Sequence, residues 1–303
     1  MLKRILPFSL ITPRNAAFER DLRRVRWLRR PLALVMYSAY VLIGIPLLVS
    51  VLFLLDYFRR SAAGRYGSYY YYYNTSVWFA IILFATFLIM VIANLYYLVI
   101  TVNSINRLIA SGEWDSLRLT PIPERDLVLG KVAVAQVRGW RFMTLDMALR
   151  LCAIAFAVTD IAATSNGYPF LTITSLSALL NLGSIVTLCV VYTLEPLWRM
   201  RTVVAIGIAV SAGIRNLTFA VLAGFGLVFA LHIGLVIVIA ATTYGLARLL
   251  GSLVYSSSLE SLFFGSAALL FGTLVVGFVI NYFYRRVQRY ALRRAYRTAF
   301  RTD

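Results

Sequence analysis

Long apolar runs recur along the whole 303-residue chain, and they constrain its fold more than any other feature. A helix that crosses the hydrocarbon core of a bilayer needs about 20 apolar residues, because each residue advances by about 1.5 Å. With 61% hydrophobic and 14% charged residues, the composition lies far from that of a soluble domain. The sequence therefore predicts an all-α, polytopic membrane protein.

The apolar runs predict six transmembrane helices joined by short loops. Their approximate ranges are 31–57, 77–101, 142–163, 170–194, 217–246 and 262–284. Together they form a transmembrane domain, 31–284, between an amino-terminal segment, 1–30, and a basic tail, 285–303. Glu195 and Pro196 predict a helix break after the fourth span. The apolar run 203–214 then predicts a short interfacial or re-entrant helix, with a seventh span as the alternative.

Basic residues cluster beside the apolar runs, where they act as topology signals. Nine basic residues precede the first span and seven arginines follow the last, so the positive-inside rule predicts two cytoplasmic termini. In 15–30, Phe18, Leu22 and Val25 recur at helical spacing among arginines, which predicts an amphipathic helix on the cytoplasmic surface in contact with anionic lipid. The net charge of +18 does not indicate nucleic-acid binding, because no basic face lies on a soluble domain.

A polar segment between the second and third spans, residues 111–131, is called the docking loop here. It holds four of the twelve acidic residues. Ser111 or Gly112 can begin a short helix, and Trp114 then shares a face with Leu117 or Arg118, which could insert into a partner. Proline restricts the residue before it, so Thr120 and Pro121 end this helix. An ordinary solvated loop with two helix starts is the alternative.

A second helix begins near Pro123, since proline fits the first helical turn and acidic residues there favour the positive helix end. It leads into the third span as a lever. The residues assigned to docking are Glu113, Trp114, Asp115, Leu117 and Arg118. The residues assigned to the turn and lever are Thr120, Pro121, Pro123, Glu124, Arg125, Gly130 and Lys131.

Three ionisable residues inside the spans are candidates for polar contacts. Asp146 and Arg150 lie four residues apart and share a helix face, which favours a structural ion pair over a substrate contact. His232 has no Cys, Asp or Glu near it, so a metal site is not expected. It favours a hydrogen bond to a neighbouring helix, with substrate contact or proton coupling as alternatives. The sequence contains no cluster typical of a catalytic site.

The docking loop resembles the cytoplasmic loop of ABC type-2 exporter permeases. The resemblance rests on Glu113 to Leu117, on Thr120-Pro121, on the acidic and basic group at 124–126, and on Leu129-Gly130-Lys131. The layout of an amphipathic helix, six spans and two inner termini is similar too, as is the stretch 207–215 before span five. The resemblance implies a permease subunit of an exporter that forms a dimer with a second copy or a homologue, in a bacterial or archaeal cytoplasmic membrane.

By the same resemblance, a separate ABC ATPase subunit docks on this loop and supplies the energy. The chain has no phosphate-binding loop, because Lys131 is followed by Val132 and no glycine stands five residues before Gly130. ATP and Mg²⁺ are therefore expected on the partner, with no cofactor on this chain. The apolar spans favour a lipid, a hydrophobic drug or a peptide as substrate. A structural subunit of a membrane complex and a lipid-modifying enzyme are the alternatives.

Overall fold

The computed structural model describes residues 31–62, 68–113, 116, 119, 124–164, 176–214, 216–254 and 259–299. The predicted amphipathic helix at 15–30 lies outside these residues. The described residues form six long helices and no strand: α1 (Pro31–Ala62), α2 (Ser68–Ala110), α3 (Glu124–Thr164), α4 (Leu176–Gly213), α5 (Leu217–Val254) and α6 (Leu259–Ala299).

Five of these helices are long and apolar enough to cross a membrane. Their apolar segments are Met36–Asp56, Ser76–Leu108, Leu179–Gly213, Leu217–Arg248 and Gly265–Thr298. Each of the five also exposes large apolar side chains on the outside of the bundle, such as Phe84 of α2 and Phe278 of α6. A protein surface of this kind is suited to lipid rather than to water. The protein is therefore a multi-pass membrane protein.

Helix α3, which contains the predicted third span, is not among the apolar five. It packs against α1, α2 and α4, and its described residues expose no large apolar side chain. Its contacts with α2 advance in opposite directions along the two helices. Trp78 stacks on Phe156 at one end, and the Tyr97 hydroxyl donates to the carbonyl of Gly139 further along. Helix α3 is thus enclosed by its neighbours and lies antiparallel beside the apolar part of α2.

Consecutive helices alternate in direction throughout the bundle. Helix α1 is parallel to α3, α4 is antiparallel to α3, α6 is parallel to α4, and α5 is antiparallel to α6. Two contacts establish the direction of each pair: Ser38–Trp140 and Phe53–Phe156 for α1 and α3, and Tyr192–Arg150 and Arg199–Asp146 for α4 and α3. For α4 and α6 they are Gly183–Leu270 and Thr202–Tyr284, and for α5 and α6 they are Gly234–Phe283 and Leu246–Gly272. The carboxyl ends of α2, α4 and α6 therefore lie at one end of the bundle.

The predicted helix break at Glu195 and Pro196 is wrong. Helix α4 continues through Pro196 to Gly213, so the predicted fourth span and the apolar run 203–214 belong to one helix. Proline is tolerated inside a membrane helix when another group satisfies the backbone that it frees. The basic tail is also helical over most of its length, because α6 extends to Ala299.

Small residues bring α4 against α2. Gly207 faces Thr101 so closely that a Cβ at position 207 would overlap its side chain. One turn later, the hydroxyl of Ser211 donates to the Val102 carbonyl over 2.6 Å and accepts from the amide of Ile105. Gly and Ser four residues apart are typical of close helix contacts in membranes. The run 203–214 is therefore a buried packing surface and not an interfacial helix.

We expect Gly207→Ala to destabilise the protein, because the added methyl group has no space beside Thr101. Overpacking of this kind costs about 1–3 kcal/mol. Thermal unfolding of the detergent-purified protein measures the effect. Gly213→Ala is the matched control, because nothing lies within 4 Å of a Cβ there. Equal unfolding temperatures for the two variants would contradict the close α2–α4 contact.

Candidate functional site

The polar docking loop begins where α2 ends. The amide of Ser111 donates to the carbonyl of Arg107 over 3.0 Å, which closes the last turn. Gly112 then adopts a positive φ of 69°, a left-handed conformation that suits glycine and commonly terminates a helix. The chain therefore leaves α2 at a defined position and enters the loop with Glu113.

The structure places only part of the predicted docking surface. Glu113 and Ser116 are helical and exposed, and Leu119 lies in a turn with 89% of its surface exposed. The other predicted docking and turn residues lie outside the described part of the chain: Trp114, Asp115, Leu117, Arg118, Thr120, Pro121 and Pro123. The shared face of Trp114 and Leu117 stays a prediction.

The predicted lever residues belong to the start of α3. Glu124 and Arg125 lie in its first turn, Gly130 is buried and Lys131 is half-buried. Lys131 and Glu113 line the same polar pocket of about 360 Å³ between α2 and α3. The docking loop is therefore joined to both helices at one end of the bundle.

A charged pair lies further along α3. Asp146 and Arg150 form a salt bridge of 3.1 Å between Oδ1 and Nε, and both side chains are buried. The spacing of four residues puts them on one helix face, as the sequence predicts. Asp146 has a second partner across the helix interface, since its Oδ2 pairs with Arg199 of α4. The pair is therefore part of a larger arrangement.

Glu195 and Arg199 of α4 complete that arrangement. Arg150 Nη2 lies 2.7 Å from Glu195 Oε2, which makes an ion pair rather than a well-aligned hydrogen bond. Arg199 Nε lies 3.8 Å from Glu195 Oε1, and the hydroxyl of Tyr284 on α6 donates to the same oxygen over 2.5 Å. The four charged residues, Asp146, Arg150, Glu195 and Arg199, are called the charge network here.

The charge network lies at the middle of the bundle. Glu195 is next to the midpoint of the apolar segment of α4, and Tyr284 is close to the midpoint of that of α6. Side-chain exposure is 1% for Asp146 and Arg199, 7% for Arg150 and 14% for Glu195. Isolated charges at this depth are costly, but two acids and two bases cancel. Losing one member leaves an uncompensated buried charge, at a cost of about 3–5 kcal/mol.

Pro196 explains how Arg150 is oriented. A helical amide normally donates to the carbonyl four residues earlier, and proline has no amide hydrogen. Pro196 therefore leaves the carbonyl of Tyr192 without its helix partner. Arg150 Nη1 donates to this carbonyl over 2.7 Å, and its guanidinium lies 4.5 Å from the centre of the Tyr192 ring. The proline thus creates the acceptor that anchors the network to α4.

His232 contacts neighbouring helix groups rather than the network. Its Nδ1 lies 2.8 Å from the carbonyl of Val228, so this nitrogen carries the proton. Nε2 is then an acceptor and lies 3.5 Å from Nδ2 of Asn94 on α2. The histidine therefore links α5 to α2.

The described residues contain no group of His, Cys, Asp or Glu that could hold a metal ion. The two cysteines are free, with Cys152 buried and Cys189 partly buried. Within the described chain, the charge network is the polar cluster that joins α3, α4 and α6. Its chemistry is electrostatic: it fixes how these helices sit against each other.

Two members of the network escaped sequence reasoning. Glu195 and Arg199 lie at and just after the predicted helix break, because proline and charges usually interrupt an apolar helix. The signal that could have found them is their spacing of four residues, with the acid before the base, which repeats that of Asp146 and Arg150. Antiparallel packing places the two pairs opposite each other.

A comparison of the chain with protein-family models, curated proteins and solved structures finds no match.

We expect Pro196→Ala to destabilise the protein, although removing a helix-interior proline usually stabilises. The restored amide gains a backbone hydrogen bond of about 1 kcal/mol but competes for the Tyr192 carbonyl, where a charged donor contributes about 1.5–3 kcal/mol. Pro46→Ala in α1 is the matched control, because no described side chain donates to the carbonyl that Pro46 frees. Thermal unfolding in detergent compares the two variants. A similar rise in unfolding temperature for both would contradict the role of Pro196.

Proposed function

We propose that the chain is the transmembrane permease subunit of an ATP-binding-cassette exporter, driven by a separate ATPase that docks on residues 111–131. One observation supports this proposal above the others: the docking loop is joined directly to α3, the helix that holds Asp146 and Arg150 at the centre of the bundle. A force on the loop therefore has a continuous helical path to buried charges.

In this proposal α3 crosses the membrane as the third of six spans, with both termini in the cytoplasm. Its antiparallel alignment with the apolar segment of α2 supports the crossing, because the two helices then lie at the same depth. Its charged residues Asp146 and Arg150 are compatible with this crossing, since both are buried inside the bundle. The clusters of basic residues before α1 and along the end of α6 support the orientation.

The proposed mechanism is a displacement of α3. About 22 residues separate Glu124 from Asp146, which corresponds to about 33 Å of helix. A shift at the docking loop moves Asp146 and Arg150 against Glu195 and Arg199, so α4 and α6 must follow or exchange partners. Two buried nitrogens of Arg199, Nε and Nη1, donate no hydrogen bond among the described residues. They leave donors for a second arrangement.

The partners follow from the same proposal. The ATPase subunit holds ATP and Mg²⁺, and a second copy of the permease or a homologue completes the pathway. The mostly apolar spans favour a hydrophobic substrate, such as a lipid, a hydrophobic drug or a peptide.

Cysteine labelling tests the crossing of α3. In a variant with Cys152 and Cys189 replaced by serine, we expect Ser116→Cys and Thr302→Cys to react with a membrane-impermeant maleimide only in inside-out vesicles. Ser165→Cys should react only in right-side-out vesicles, because it follows α3 at the opposite end. Reaction of Ser116→Cys and Ser165→Cys from the same side would contradict a transmembrane α3.

Mild purification from the native membrane tests the docking surface. We expect an ATPase to co-purify with the chain. The amount of ATPase that co-purifies should fall by about tenfold or more in the variant Trp114→Ala/Leu117→Ala, because the apolar contact is removed. Arg118→Glu should also weaken the association, whereas Arg289→Glu, an equal charge reversal on the exposed end of α6, should not. Unfolding temperatures near that of the wild type exclude misfolding.

Two outcomes would contradict the proposed function. One is the absence of any ATPase from the mildly purified protein, which would favour a non-transporting subunit. The other is an ATPase that stays bound when Trp114 and Leu117 are both changed, which would place docking elsewhere.

A further inference from the structure

An apolar groove lies between α4, α5 and α6, and its lining includes no member of the charge network or the docking loop. It has a volume of about 610 Å³. Its walls are almost entirely carbon, and small residues on all three helices leave the space open. Representative residues of the walls are Ala209, Gly213, Ala223, Ala230, Gly234 and Ala291.

The groove has an apolar end and a polar end. Phe283 and Gly234 meet at the inner end, where a Cβ on the glycine would lie 3.3 Å from the phenylalanine ring. Tyr290 and Arg294 line the other end and are exposed. They are four residues apart on α6, so they share one face of the helix. The polar end lies with the carboxyl ends of α4 and α6.

Among the described residues, the side chain of Arg294 has no polar partner. Its guanidinium forms no salt bridge or hydrogen bond with any described residue. An arginine beside an apolar groove offers a charge-assisted contact to a phosphate, while tyrosine is favoured at the level of lipid headgroups. The polar end is therefore suited to an anionic headgroup.

The length of the groove matches one leaflet of a bilayer. From Phe283 to Arg294, α6 advances by about 16 Å, and half of the hydrocarbon core is about 15 Å thick. An acyl chain whose headgroup lies at Arg294 therefore reaches the inner end. If the groove were empty, the atoms of its walls would lack dispersion contacts on one side.

We propose that this groove binds one anionic phospholipid of the surrounding bilayer. Its phosphate pairs with Arg294, its glycerol region lies beside Tyr290, and one acyl chain fills the space between α4, α5 and α6. The lipid thereby adds to the direct packing between α5 and its neighbours.

Charge argues against two other occupants. The amino-terminal segment 15–30 is rich in arginine, so its insertion would bring like charges to Arg294. A second copy that contacts the groove through its own α6 would do the same, since the end of that helix holds Arg286, Arg289, Arg293 and Arg297 as well.

Native mass spectrometry of the delipidated full-length protein tests the charged end. We expect dioleoyl phosphatidylglycerol to bind more tightly than dioleoyl phosphatidylcholine, and Arg294→Gln to reduce phosphatidylglycerol binding roughly fivefold. Arg293→Gln is the matched control, because Arg293 is exposed and does not line the groove. Equal losses in the two variants would show general attraction to a basic helix and overturn the proposal.

A second variant tests the apolar end. Ala230→Phe fills the groove and should abolish tight binding of both lipids, whereas Ala240→Phe, an exposed position elsewhere on α5, should leave binding unchanged. Wild-type lipid binding by folded Ala230→Phe would overturn the proposal. If Ala230→Phe does not fold, Arg294→Gln still decides.

Photo-crosslinking in the native membrane identifies the occupant directly. With a diazirine-bearing amino acid at Leu227, which lines the groove, we expect a mass increase equal to a phospholipid. Crosslinks to residues 15–30 or to a second copy of the chain would overturn the lipid assignment.

Discussion

Four buried charges, Asp146, Arg150, Glu195 and Arg199, are the constraint on which the rest of the bundle depends. Each carboxylate contacts both guanidinium groups, so none of the four can be moved without affecting the others. This requirement fixes the register of α3 against α4, and the bond from Tyr284 to Glu195 extends it to α6. Other contacts between these helices can vary by a side-chain rotation, but the charges cannot leave the bilayer interior singly.

The sequence predicts the number and approximate position of the long helices well, because apolar length is a direct consequence of bilayer thickness. It fails at Glu195 and Pro196, where local rules for proline and charge predict a break. Tertiary contacts override those rules: Arg150 satisfies the Tyr192 carbonyl that the proline frees, and the charges of α3 neutralise those of α4. Neither compensation is visible in the sequence around residue 196, because both partners come from a distant helix.

Helix α3 shows where local sequence rules succeed. The spacing of Asp146 and Arg150 predicts a pair on one face, and that pair forms. The apolar run 142–163 also predicts the span, although α3 is not among the five helices whose described residues are long and apolar enough to cross a membrane. It is enclosed by three apolar helices, so it does not need a lipid-facing surface. The proposed role of the docking loop involves a partner, whereas its attachment to α2 and α3 is a property of this chain alone.

The equal number of acids and bases in the network has an electrical consequence. A charge that moves through the membrane field does work of about 2.3 kcal/mol per 100 mV, and voltage sensors exploit this with charges of one sign. Here the two negative and two positive groups sum to zero, so moving the network as a unit along the membrane normal transfers no net charge of its own. A rearrangement confined to the network would then be nearly independent of membrane voltage.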